Sequence, residues 1–517
     1  MKRIKYILAS VVLLAAVGCD SYLDTLPDNR AEIDSPEKVE KLLVSAYPTS
    51  EYITSTELST DNVDINGANN PNGSLLQEQL YNWDIITDNA NEAPKRVWEA
   101  CYSAIASANH ALQAIEEMGT PEKLLGAKGE ALVARAYSHF ILVNMFAQHY
   151  SEQHSDKDLG ITYMREPETE LNPKYERGTV KETYQAIEDD LLEGLPLLSK
   201  TNYTVPKYHF NQQAGYAFAS RFYLYKGDME QVIKYADLVL GNNPSNLLRD
   251  NAYLVSVPES SRYKEYSSPK LKSNLLLTTA VSQVGVMFGP YRNFSRYGHG
   301  KMISDNETLQ AEGPWGKWSS STFYLFPHIY GGTNMDKVLY PKLPYLFEYS
   351  DPVQGIGLPH TVNVAFSTDE TLLNRAEAKI RLKDYAGAVE DMNLWMQAYI
   401  KLYKPATVQS LEQWASKFAY YTPERPTPIK KIDPDFAIEA GTQEKLIQSV
   451  LYLRRIETLH QGLRWFDIKR YGIEVTRRVI EGNQVASVGS TLVKRDLRAA
   501  FQLPDDVLHA GMEPNPR

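Results

Sequence analysis

A mostly α-helical fold is predicted by three features of the chain. Capped apolar stripes at helical spacing occupy both ends, a helix–turn–helix pattern occurs twice, and residues 251–360 between them lose the helical period. A helix with apolar side chains every three or four residues buries one stripe against a neighbour, so helices of this kind come in packed groups. The middle segment, rich in Gly, Pro, Ser and aromatic residues, reads instead as long loops with short strands. Loops of that length are usually functional or disordered, and aromatic content argues against disorder.

The elements follow in order. Lys2, Arg3 and Lys5 precede an apolar run over 6–17, shorter than the ~20 residues of a membrane span, which closes on Ala15, Ala16 and Gly18 before Cys19. This is the pattern of a lipoprotein signal, with cleavage before Cys19 and acylation of its thiol. Ser35-Pro36 supplies an N-cap and a first-turn proline ahead of Val39, Leu42, Leu43 and Tyr47. Two long helices are expected over 93–118 and 122–147, separated by Gly119-Thr120-Pro121 as stop, cap and restart. Thr179 with Glu182 forms a capping box before Tyr184, Ile187, Leu191, Leu192 and Leu195, and Ser367 with Glu370 forms another before Leu372, Leu373, Ala376 and Ile380.

Residues 218–237 align with 374–393, placing Asp228 over Asp384 and Val232-Ile233 over Ala388-Val389. Each copy reads as a helix, a tight turn and a second helix. Small residues on the first helix and an Asp at the turn resemble the tetratricopeptide pattern, whose pairs stack because none buries its apolar face alone. The expected organisation is a leader over 1–18, an N-terminal helical region over 19–250 and a C-terminal region over 251–517 that contains the variable segment 251–360.

Composition narrows the function. The 517-residue chain carries a net charge of −10, and it has no basic run of the sort that holds phosphate backbones, which excludes nucleic acid as a partner. Its two cysteines are Cys19 and Cys101, so with Cys19 acylated no disulfide of its own is left. Phosphate-loop, Gly-x-Ser-x-Gly and His-Glu-x-x-His signatures are absent, and no catalytic residue, cofactor or metal site is assigned. Carboxylates are plentiful, so a glycosidase pair stays open, but nothing marks out two of them.

Two stretches suit ligand binding. Residues 313–332 hold Trp315, Trp318, Phe323, Tyr324, Phe326 and Tyr330, six aromatics where a chain with 11% aromatic residues averages about two in twenty. A sugar ring has an apolar C–H face and a hydroxyl rim, so its site needs a flat aromatic platform with polar groups at the edge. Trp315, Trp318 and Tyr324 are candidate platforms, with Tyr291, Arg292 and Tyr297 from the preceding loop at the edge. The second stretch, 61–70, is rich in amides that donate and accept at once, which makes Asn66 and Asn69 candidates for sugar hydroxyls. Asn62, Asp64 and Asn66 also imitate half of a calcium loop, but Gly73 stands where the bidentate Glu belongs. The charged residues Arg464, Asp467 and Arg470, by contrast, read as structural neighbours on one helix.

The run 453–472, with Arg454-Arg455, Glu457, Gly462, Arg464-Trp465-Phe466-Asp467 and Arg470-Tyr471-Gly472, resembles the SusD/RagB family of outer-membrane nutrient-binding lipoproteins. So do Cys19-Asp20-Ser21-Tyr22-Leu23-Asp24, the stretch from Trp98 through Tyr102 and Ile105 to Asn109, Ala376-Glu377-Ala378, and Phe501-Gln502-Leu503-Pro504 with the Asn515-Pro516 ending. Leu453 and Gln461 depart from the acidic residues many members carry there. The resemblance implies a mostly α fold in which four tetratricopeptide-like helix pairs pack against an irregular, loop-rich ligand-binding face. It implies a non-enzymatic protein, lipid-anchored in the outer membrane and facing the cell exterior. Its expected role is to capture a glycan for a SusC-like TonB-dependent transporter; the alternatives are a peptide-binding RagB-like receptor, a surface glycoside hydrolase and a scaffold that binds only protein.

Overall fold

The computed structural model describes residues 33–169, 173–289, 291–325, 328–330 and 336–517. The leader, Cys19 and Phe326 lie outside the described residues, among which no helix is long and apolar enough to cross a membrane. The main helices are α1 (Pro36–Leu43), α2 (Pro94–Glu117), α3 (Leu125–Phe146), α4 (Val180–Leu197), α5 (Gln212–Lys226), α6 (Met229–Leu240), α7 (Thr368–Arg381), α8 (Tyr385–Tyr399), α9 (Val408–Lys417), α10 (Thr442–Glu457) and α11 (Arg464–Tyr471). The protein is mostly α, as the sequence predicts. Helix packs on helix in the order α2–α3–α4, then α5–α6, α7–α8 and α9–α10, and α6 lies against α7 so that the pairs stack.

Local chemistry sets these boundaries. The Ser35 hydroxyl caps α1 by accepting from the Lys38 N–H, and Thr179 with Glu182 makes the expected reciprocal box on α4. The aligned Asp228 and Asp384 each cap the second helix of their pair, accepting from Gln231 and Gly387 N–H, after a residue in the left-handed region, Gly227 (φ 94°) or Lys383 (φ 67°). Ser367 caps α7, but Glu370 does not reach back to complete its box; its carboxylate takes the Arg221 Nε of α5 at 2.7 Å and ties two helix pairs together. Helix α3 is buried nearly all round. It approaches α4 backbone to backbone, since a Cβ on Gly129 would stand 2.7 Å from the Leu197 Cβ and one on Gly194 3.0 Å from the Gly129 carbonyl.

The strands are β1 (Asp64–Asn66), β2 (Asn274–Val281), β3 (Tyr297–Gly298), β4 (His328–Tyr330), β5 (Lys337–Leu339), β6 (Leu346–Asp351), β7 (Ile356–Ser367), β8 (Val475–Glu481) and β9 (Gln484–Leu492). One sheet runs β3-β1-β8-β9, with β1 parallel to β8; a second runs β2-β7-β6; β4 pairs with β5. The first sheet therefore draws the N-terminal loop, the middle segment and the C-terminal hairpin together. Residues 251–360 are more regular than the sequence suggests. They hold short helices at Asn251–Ser256, Glu259–Tyr266, Val284–Met287 and Lys301–Glu307, the strands β2 to β6 and the start of the 12-residue strand β7. Helices of four to eight residues have no room for a periodic apolar stripe, and the sequence signal is correspondingly weak.

The charged residues of 454–478 other than Glu474 are buried and hold the fold. Arg454 grips Asp467 at 3.0 and 3.1 Å, Arg470 grips Glu377 at 2.8 and 3.1 Å, and Arg464 grips Asp61 at 2.9 and 2.8 Å, each through two parallel N–H bonds. Burial pushes the Asp467 carboxyl up, but Arg454 and Arg470 outweigh it and hold the group at about 2. Burial likewise opposes, and Arg455 and Arg464 outweigh, at Asp61, which lies well below the usual carboxylate range.

Candidate ligand-binding surface

The amide-rich stretch 61–70 is largely consumed by this framework. Asn62 donates to Glu57 and accepts from Arg455 at 2.8 Å, and Asp64 takes two N–H bonds from Arg478 at 3.0 and 2.8 Å. Asn66 is buried, and its amide donates to the carbonyls of Ser295 and Gly298 at 3.2 and 3.3 Å. Its hydrogen bonds are spent fixing β1 beside β3, so Asn66 is taken off the candidate surface. Asn69 alone of the two candidates is exposed. Tyr297 is corrected in the same way: it sits on β3 opposite Ile65, buried with its ring 5.2 Å from that of Tyr81.

The aromatic run after Gly313 turns inward. Gly313 and Gly316 exchange backbone hydrogen bonds of 3.1 and 2.9 Å, and the Trp315 ring folds over Gly313, where a Cβ would collide with it. That ring then lies 5.8 Å from Tyr452 of α10 in a near-stacked pair and 5.4 Å from Phe323 edge-on. Trp315, Trp318 and Tyr324 are all half-buried, and the Tyr324 N–H donates to the Tyr399 carbonyl of α8 at 3.0 Å. The Trp315 ring thus seals the loop onto α10 and the Tyr324 backbone ties it to α8, which leaves the Trp315 ring less free for a ligand than the sequence suggests.

Exposed aromatic surface occurs instead at Tyr291 and along β6. Tyr291 is 42% exposed, Tyr345 36%, Phe347 37% and Tyr349 56%. Alternate residues of a strand share a face, so Tyr345, Phe347 and Tyr349 form one row. Phe347 and Tyr349 touch edge to face at 4.8 Å, and the Tyr291 ring meets Tyr345 edge to face at 5.9 Å. Gly357, opposite Tyr349 on β7, has no Cβ and so leaves room for the Phe347 ring across the hairpin. Arg292, next to Tyr291, is exposed at one end of the row. On the opposite face of the hairpin His360 and Glu348 lie 2.9 Å apart. The sequence reading named Tyr291 and Arg292 and missed the row on β6. Its signal, Tyr345-x-Phe347-x-Tyr349, is a period of two inside a segment read as loop.

Two stretches of the sequence also match known families. A family model described as "Starch-binding associating with outer membrane" matches residues 21–224, and one described as "SusD family" matches residues 368–501. The chain belongs to the SusD/RagB family. The residues between those matches, 225–367, include the whole exposed aromatic row. Similar solved structures include a SusD superfamily protein from Bacteroides vulgatus, 18% identical, with 92% of this chain and 97% of that one covered and a TM-score of 0.61. A SusD superfamily protein from Bacteroides thetaiotaomicron is 17% identical over 93% and 99% of the two chains, with a TM-score of 0.58. A SusD-like carbohydrate binding protein from Bacteroides vulgatus is 17% identical over 92% and 96%, also at 0.58. At such identities the likeness is one of fold. No curated protein matches the chain.

A second concave feature lies on the helical side. A cleft of about 690 Å³ between α2 and the C-terminal residues 506–512 is floored by Trp98, Ile105 and Met512 and rimmed by Glu99, Glu166 and Asp506.

Proposed function

We propose that this SusD/RagB protein is a cell-surface lipoprotein, anchored through Cys19, that holds a glycan against the row formed by Tyr291, Tyr345, Phe347 and Tyr349 and hands it to a SusC-like TonB-dependent transporter. The observation that carries the reading is the clustering of four exposed rings on the irregular face of a family described by starch binding at the outer membrane. Stacked C–H faces would supply affinity, and Arg292 with the tyrosine hydroxyls would read the hydroxyl rim. The mechanism is recognition alone: the glycan leaves with its bonds unchanged. The leader over 1–18 directs export, 19–250 and 251–517 form the helical body and the ligand-bearing region, and the acyl chains on Cys19 tether both to the membrane.

The α2 cleft, floored by Trp98 and Ile105, favours a second reading, in which a peptide occupies it through an apolar side chain, since Glu99 and Asp506 on the rim are already paired with Lys95 at 3.8 and 3.1 Å. One experiment separates the two. The purified chain is titrated by affinity electrophoresis and calorimetry against starch, xylan, mannan and dextran and against basic and acidic peptides. The glycan reading expects retention by at least one polysaccharide, recovery of that polysaccharide uncut, and loss of retention on replacing Tyr345 and Tyr349 with Ala. Retention of peptides alone, lost on Trp98→Ala, would establish the second reading, and release of reducing ends by a pure sample would make the protein a hydrolase.

A further inference from the structure

Lys337, on β5, is 2% exposed, and among the described residues no carboxylate lies within ion-pairing distance of it. A buried ammonium without a counter-ion is costly unless its protons are all accepted. The acceptors come from a short helix and the chain that follows it: Nζ donates to the carbonyls of Val286 at 2.8 Å, Tyr291 at 3.0 Å and Asn293 at 3.3 Å. Three N–H bonds use the ammonium completely. Beyond this cradle Phe294 turns the chain in the left-handed region (φ 61°) toward β3. Lys337 holds the Tyr291 carbonyl while the Tyr291 ring meets that of Tyr345 edge to face.

We propose that Lys337 is a positioning residue for the ligand surface: its ammonium fastens the backbone around Val286, Tyr291 and Asn293 so that Tyr291 completes the aromatic row and Arg292 stands at its end. This rests on the glycan reading above. A lysine is suited to the task because one flexible point donor can collect three carbonyls from the end of a short helix and the irregular chain after it. The titratable groups around it are Arg292 on the loop, Asp336 beside it in the chain, the Lys301–Asp305 pair on the helix packed against β5, and His460, whose ring stacks on Phe288 at 4.8 Å. Burial holds His460 well below its ordinary value, so it stays neutral. Burial also pushes Lys337 down to about 7, while the three carbonyls favour the charged form.

Hydrogen exchange tests the fastening without any ligand. Lys337→Met keeps the length of the side chain and removes its donors; amides in the peptide covering 286–295 should then exchange at least tenfold faster, with α10 unchanged. Lys342→Met is the control, because Lys342 is an equally buried lysine whose acceptors, the carbonyls of Ile456 and Glu457, lie at the end of α10. It should lower the melting temperature without selectively loosening 286–295. In the wild-type protein, protection of 286–295 should fall as pH rises from 6 to 9, since a neutral amine donates two N–H bonds rather than three. Unchanged protection in Lys337→Met overturns the proposal; if that variant does not fold, unchanged protection in Lys337→Gln, too short to reach all three carbonyls, does so. On starch, xylan, mannan and dextran gels, Lys337→Met should weaken retention about tenfold. A loosened loop with full retention also overturns the positioning role, whereas a wild-type protein retained by none of these gels overturns the glycan reading and, with it, the role proposed for Lys337.

Discussion

Replacing Tyr349 with alanine separates binding from folding, because its ring is more than half exposed and the fold loses little with it. A tyrosine side chain offers roughly 200 Å² of surface. With 56% exposed, about 100 Å² is free, and a ligand lying on one face of the ring covers about half of that. An equal area is hidden on the ligand, so ~100 Å² of largely apolar surface leaves water, worth about 2.5 kcal/mol at ~25 cal/mol per Å². Ordering the ligand takes back part of this, and about 1–2 kcal/mol remains, a roughly five- to thirtyfold weaker association. Calorimetry with the best-retained polysaccharide reads the affinity, and a thermal melt reads the fold; the expected result is weaker binding with a melting temperature within ~2 °C of wild type. Phe347 touches Tyr349 at 4.8 Å, so truncating both should cost less than the sum of the two single losses. Undiminished affinity in Tyr349→Ala and in the variant lacking both Tyr345 and Tyr349 rings would refute the platform.

Other substitutions address the framework. Trp315→Ala should act mainly on stability, lowering it by about 2–3 kcal/mol as the half-buried ring leaves Tyr452 and Phe323, and denaturant unfolding against glycan affinity shows which of the two moves more. Arg464→Met removes two charge-assisted N–H bonds from buried Asp61, which keeps Arg455 and Lys430 at 3.5 Å, and should destabilise by about 1.5–3 kcal/mol, part of it recovered when Asp61→Asn is added; the double-mutant cycle in urea measures the recovery. Buried Glu51, which accepts from Thr54 and Ser282 and faces Glu92, is pushed up by burial to about 8 from an ordinary 4.5. The native state therefore keeps a proton that the unfolded chain sheds, and stability falls as pH rises between about 4.5 and 8. Glu51→Gln removes this dependence, so its melting temperature relative to wild type should climb over that range; a pH-independent difference would show that Glu51 ionises normally in the fold.

Sequence reasoning was strongest where the local code and the tertiary use of a residue agree. Caps such as Ser35 and Thr179 satisfy N–H groups within a turn, and the structure uses each as the sequence suggests, while the turn residues Asp228 and Asp384 prove to be caps as well. It weakened where a residue serves a distant partner: Glu370 looks like half of a capping box and is an ion-pair partner of Arg221. Asn66 and Tyr297 look like surface groups because the strands that bury them, β1 and β3, are only three and two residues long. Trp315 illustrates the limit of composition, since six aromatics in twenty residues predict a hydrophobic cluster but not which side of it faces water. The β6 row was legible as alternation, yet the prolines and glycines around it favoured a loop, and pairing with β7 is a long-range fact.

The division between framework and surface has a physical basis. In the stretches that resemble the family, Trp98, Asn109 and the charged and aromatic groups of 453–472 are buried. A buried bidentate pair tolerates no change in one partner alone, so Arg454, Arg464, Arg470 and their carboxylates are locked to one another and to the helices that present them. Asp61 and Asp64 extend that lock to the N-terminal loop through Arg464 and Arg478. Once β1 is held between β3 and β8, the chain from 284 to 360 hangs from a fixed sheet and helix stack. Its exposed residues are then under no packing constraint and are free to suit a ligand. On that argument specificity should transfer with the segment: grafting residues 345–358 from a relative that binds a different glycan should change which polysaccharide is retained while leaving the melting temperature within a few degrees, and a graft that binds as the parent does would place the specificity elsewhere.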